Sequence, residues 1–111
     1  MTFNKFLNVI NHHLTDLLVR NETGVFSVGC EIKAGRPHHT DKRFDQRRVL
    51  HREPVEFNQP AVMLQSCFTE AQRMECQFFG RIAVEFDIFE GTVVDLRKTI
   101  RQTFHCTTGT S

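Results

Sequence analysis

The stretch RIAVEFDIFEG, residues 81–91, alternates with a period of two. Ile82, Val84, Phe86 and Ile88 fall on one face, and Arg81, Ala83, Glu85 and Asp87 on the other. Successive side chains on opposite sides define a β-strand, and one apolar face means one side to cover and one side left to water. This constrains the fold more than any other feature, because apolar material from elsewhere in the chain must be laid on that face. Gly80, just before the alternation, predicts a bulge or bend.

Candidates for the sheet and its cover follow. VFSVGCEIK alternates in the same way, with Phe26, Val28, Cys30 and Ile32 on one side and Ser27, Gly29, Glu31 and Lys33 on the other. Residues 3–19 read instead as an amphipathic helix, since Phe3, Phe6, Leu7, Ile10, Leu14, Leu17 and Leu18 recur at helical spacing. Thr2 can cap its start, and Gly24 in RNETG can take the positive φ that ends it. AVMLQSCF, opened by Pro60 and apolar on both faces, predicts a central strand. TEAQRMECQ reads as a turn, RRVLHRE as a short edge strand and EPVEFNQP as a connector. TVVDLRKTIRQTF predicts a second helix, with Thr92 and Asp95 as a capping box and Val93, Leu96, Ile100 and Phe104 at helical spacing.

These elements predict an α+β fold in which an antiparallel sheet of three to five strands packs on an N-terminal and a C-terminal amphipathic helix, as a two-layer sandwich. With 111 residues, 40% of them hydrophobic, and no Pro/Gly/Ser-rich linker, a single domain spanning 1–111 is expected, with a tail at about 105–111. Eleven Phe with no Trp or Tyr supply apolar area without polar handles, suited to a core or a dry subunit contact. No apolar run reaches the roughly 20 residues of a membrane span, and MTFNKFLNVINHHL is too interrupted for a signal peptide, so synthesis in the cytoplasm is expected.

The charge is unevenly spread. The chain carries +1 in total, yet Lys33–Glu53 has seven Lys/Arg against three acids, which leaves the remainder at −3. AGRPHHTDKRFDQRRVLHRE, residues 34–53, therefore reads as a basic arm on a mildly acidic body. A structureless insertion of that length in so small a domain is expected to be functional.

No G-x-S-x-G, H-E-x-x-H, P-loop or G-x-G-x-x-G pattern occurs, so no enzyme is expected. Glu85 and Asp87 lie roughly 7 Å apart on one strand face, a distance open to acid–base work but more typical of the wet side of a sheet. His12 and His13 diverge by about 100° on a helix, and the arginines around His38, His39 and Asp41 oppose a cation, so no metal or other cofactor is expected. Cys30, Cys67, Cys76 and Cys106 lack C-x-x-C spacing, which suits buried or free thiols and leaves disulfides open. The arm offers nucleic acid a basic stripe but a single stacking ring, Phe44. Contact with an oppositely charged protein suits it better, through Arg36, Lys42, Arg43, Arg47, Arg48 and Arg52.

The order of elements resembles the tail-terminator, or tail-completion, proteins of long-tailed bacteriophages. The likeness is carried by FLNVINHHLTDLL, the strand ending in AGRP, QPAVMLQS, and RIAVEFDIFEG running into a helix. It implies a structural virion protein of the tail or neck, forming an oligomeric, sixfold ring with itself. Its implied partners are the tail tube or sheath and the neck or head-connector proteins, with no membrane and no chemistry. The alternative expectation is a small phage or host regulatory protein, such as a defence inhibitor, binding nucleic acid or a protein through residues 36–52.

Overall fold

The computed structural model describes residues 2–103, so the expected tail, with His105 and Cys106, lies outside the described residues. The element order is α1 (Phe3–Val19), β1 (Gly24–Lys33), β2 (Arg36–Asp45), α2 (Pro60–Met74), β3 (Gly80–Phe89) and β4 (Thr92–Gln102). The four strands form one antiparallel sheet in the order β2-β1-β3-β4. Two hairpins thus meet through a central β1–β3 pair, and the fold is α+β with two helices on the sheet.

The two alternating segments are those central strands. Phe26 pairs with Phe86, Val28 with Val84 and Cys30 with Ile82, so both apolar faces coincide. All six side chains are fully buried. Burial of one Phe at this level contributes about 1.5–3 kcal/mol. Helix α1 covers this floor with Phe6, Ile10, Leu14 and Leu17, and α2 with Met63, Leu64, Cys67 and Ala71.

Helix α1 occupies the expected range, and the Thr2 hydroxyl accepts from the Lys5 N–H at 3.2 Å as its N-cap. Its end differs from expectation. Asn21, at φ 56°, makes the left-handed turn, while Glu22 N–H donates to Leu17 O and Asn21 N–H to Leu18 O. This is a Schellman motif with Asn in the glycine position, and Gly24 simply begins β1.

Three further expectations are corrected. Residues 60–67 belong to helix α2, not to a central strand, and TEAQRM continues that helix. Pro60 suits a first helical turn as well as a strand start, and Met63, Leu64, Cys67 and Ala71 share one face at a 3.6-residue period. Residues 92–102 form β4, not a C-terminal helix, so the second helix of the sandwich comes from mid-chain. Leu96 and Ile100, four apart, satisfy both periods; the β-branched Thr92, Val93, Val94, Thr99 and Ile100 decide for the strand. Asp95 Oδ1 accepts from the N–H of its neighbour Leu96 instead of closing a capping box.

The arm is the third correction. Residues 36–45 are strand β2, and AGRP is the hairpin turn that leads into it. Ala34 and Gly35 have φ of 51° and 74°, and Glu90 and Gly91 in the second hairpin 45° and 78°. Consecutive positive φ values mark the type I′ turn, whose twist matches the flanking strands. Residues 46–59 hold no helix or strand, RRVLHRE included. They form a strap that crosses the outer face of the sheet, where His51 stacks on Phe89 with centroids 4.8 Å apart. The strap then passes the β4 edge, where Val55 N–H donates to Val93 O at 3.1 Å. It ends on the helical side, with Phe57 against Phe86.

Ala34 carries the steric cost of a left-handed conformation that Asn tolerates well. Ala34→Asn is expected to stabilise the domain by about 0.5–1 kcal/mol. The check is a thermal unfolding midpoint raised by several degrees.

Candidate partner interface on the outer face and the basic edge

The face of the sheet turned away from the helices is built from ion pairs. Arg81, on β3, reaches across β1 and binds Asp41 on β2 through two hydrogen bonds of 2.7 and 2.9 Å. It lies over Gly29, where an added Cβ would overlap the guanidinium. A glycine in the central strand thus opens the channel through which one outer strand is tied to the third. The same contact holds the Asp41 carboxyl below the usual carboxylate range and raises Arg81.

A second cluster surrounds Arg97 on β4. Its guanidinium donates to Glu85 at 3.1 Å, to Asp87 at 2.7 Å and to Asp95 at 3.3 Å. Glu85 and Asp87, the pair that invited an acid–base reading, are therefore both occupied by one arginine. The hydrogen bond it donates to Asp87, with those to Glu85, pushes the Arg97 pKa up. Ser27 Oγ donates to Glu85 as well.

The six candidate cations divide on this background. Arg43 and Arg47 both lie on Asp45, at 3.0 and 3.4 Å, and Arg52 lies 3.4 Å from Asp95. Half of the set is thus ion-paired, two of the three with an acid of the basic segment itself and Arg52 with an acid of the body. Arg47, Arg48 and Arg52 come together with Arg97 and Asp87 around a cleft of about 230 Å³ under the strap. Arg36 and Arg48 are exposed and make no ion pair with the described residues. Lys42 stands apart on the helical side, its Nζ 3.2 Å from Nδ1 of His13.

His13 itself packs edge-on against Phe26, with centroids 4.7 Å apart. Burial, followed by the Lys42 charge, lowers its pKa, so it stays neutral at physiological pH. His12, His38 and His39 are exposed. Among the described residues no group of three or more His, Cys, Asp or Glu is placed to hold a metal. Cys30, Cys67 and Cys76 are free thiols, the first two buried; burial pushes Cys30 up to about 11, which disfavours its thiolate.

The residues that organise this face were only partly legible. Arg81, Glu85 and Asp87 were placed correctly by alternation, but Arg97 was read on a helix and Asp41 in an unstructured arm. The signal that could have found the Arg81–Asp41 tie is Gly29, the one residue without a side chain on the outer face of an otherwise regular strand.

Comparison with protein families, curated proteins and solved structures finds no match. No helix among the described residues is long and apolar enough to cross a membrane.

Asp41 is more readily ionised in the folded chain than in the unfolded one. Its contribution is therefore fully present above the unfolded pKa of 3.8 and is lost as pH falls through the lower folded value. Asp41→Asn is expected to cost about 0.5–1 kcal/mol at neutral pH, the range for a partly exposed pair. In urea titrations the gap between variant and wild type should close at the acid end.

Proposed function

We propose that this chain is a structural subunit that works by contact, and that the cations left free on β2 and the strap receive an acidic protein neighbour. The observation that carries this reading is that Arg36 and Arg48 are exposed without a carboxylate partner among the described residues. Both lie on the segment that gathers the chain's positive charge. Leu50, 65% exposed, lines the same cleft as Arg48 and adds an apolar contact point.

A protein neighbour is favoured over nucleic acid by two features. Val28 is opposite Lys42 and Ser27 is opposite Arg43, so these adjacent cations leave the sheet on opposite faces and do not form a stripe. Phe44, the ring a single strand would stack on, is packed against the core. Strand β2 is also guarded against simple strand addition by Pro37 and by a bulge opposite Glu31 and Ile32. Recognition through its side chains is the consistent mode.

The narrower form of the proposal is a tail-terminator or neck subunit in an oligomeric ring at the end of a phage tail. The elements of that likeness it rests on are helix α1 and the long strand β3. QPAVMLQS, however, is helical, and RIAVEFDIFEG runs into a strand instead of a helix.

The test replaces Arg36, Lys42 and Arg48 together by Glu and measures binding of a fluorescent poly-glutamate peptide and of a random DNA duplex. Wild type is expected to bind the peptide, with at least tenfold loss in the triple variant. Tighter binding to the duplex, with a steep salt dependence lost in the same variant, would replace this reading with the nucleic-acid one.

A further inference from the structure

The sheet has two outer strands, and they differ. Strand β2 carries the devices that blunt an edge, whereas β4 has no proline and pairs regularly with β3 from Asp95 to Gln102. The strap makes its backbone hydrogen bond to β4 at Val93, through Val55 N–H; beyond that it reaches the strand by side chains, with Arg52 on Asp95 and residues 55–58 beside a cleft that Leu96 and Lys98 also line. Asp95–Gln102 is thus an edge without a neighbouring strand among the described residues.

We infer that this edge pairs with the same edge of a second copy, antiparallel about a twofold axis through Lys98. Registry selects the axis. In a continuous sheet, paired residues share a face, so only registers centred on a residue are allowed. Centring on Arg97 sets that arginine against itself and Leu96 against Lys98. Centring on Thr99 sets Arg97 against Arg101 twice. Centring on Lys98 pairs Asp95 with Arg101 twice on the outer face and Leu96 with Ile100 twice on the helical face.

Both kinds of pair stabilise antiparallel strands. Leu96 and Ile100 are only partly buried within one copy, although both pack against the core, so each has apolar surface for the other. The like-charged contact is Lys98 with itself, on the helical side. There Glu70 lines the same small cleft as Lys98 and Ile100, which supplies an acid beside each lysine. Strand β2 differs in being blunted by Pro37 and by the bulge opposite Glu31 and Ile32. The occupant of the β4 edge is accordingly a second copy of this chain.

The first test is sedimentation equilibrium of the full chain, wild type and Arg101→Glu. Arg101 is exposed and makes no ion pair among the described residues, so the variant should fold. Wild type should run as a dimer, with dissociation at least about tenfold easier in the variant, since two attractive pairs become repulsive. The second test puts Asp95→Cys and Arg101→Cys in separate chains that also carry Cys76→Ser and Cys106→Ser. Mixed and oxidised, they should form an interchain disulfide, because directly opposed residues lie within disulfide reach. Either chain alone should not, its two cysteines being roughly 20 Å apart across the axis. A wild-type monomer at millimolar concentration, or cross-linking that is equal in the single chains, overturns the pairing. So does a native mass of six copies unchanged by Arg101→Glu, and that outcome would leave the ring proposal standing.

Discussion

The antiparallel contact between β1 and β3, with Phe26 against Phe86 and Val28 against Val84, is the interaction on which the other elements depend. Each strand belongs to a different hairpin, and each hairpin alone has one apolar face and a bare edge. Joining them makes a floor wide enough for two helices. It also fixes the outer face, because a one-residue slip would exchange the apolar and charged sets of both strands. Arg81 meets Asp41 across Gly29 only in this register, so the polar face and the buried core are specified by the same pairing.

Period-two alternation was a reliable guide wherever one face is buried and the other is wet. It placed β1 and β3 and their faces, and the helical stripe placed α1. It failed at the two flanks of the sheet. Residues 60–67 are apolar on several sides because a helix contacting a sheet and another helix shows little polarity over two turns. Residues 92–102 keep apolar side chains at 96 and 100, a spacing that both periods share. The arm was opaque for a different reason: as an outer strand with charges on both faces, β2 has no apolar rhythm to read, and its pairing is set by the turn at Ala34 and Gly35.

Charge was legible as a count but not as an arrangement. The excess of cations in residues 33–53 and the deficit elsewhere are real properties of the sequence, and an arm offered outward was one way to use them. In the folded chain the charges are paired mostly within each part and, at Arg52, between the two. Asp45 takes two of the arginines, Asp95 takes a third, and the acids of β3 are held by Arg97. Arg47 on Asp45 and Arg52 on Asp95 thus fasten the strap to the sheet, and what remains for a neighbour is a smaller set at Arg36, Lys42 and Arg48. Exposed pairs of this kind contribute little energy singly. Their effect here is to choose the path of the strap.

That path has a temporal consequence. The strap leaves the first hairpin and reaches β4 at Val93, so this hydrogen bond cannot close until residue 93 has left the ribosome. The β1–β3 pair likewise joins residues separated by about half the chain's length. Assembly of this domain is therefore governed by non-local closure, which places it among slower folders for its size. During that interval β1, paired on one side with β2, leaves its other edge and its apolar face without the cover that β3 and helix α2 bring.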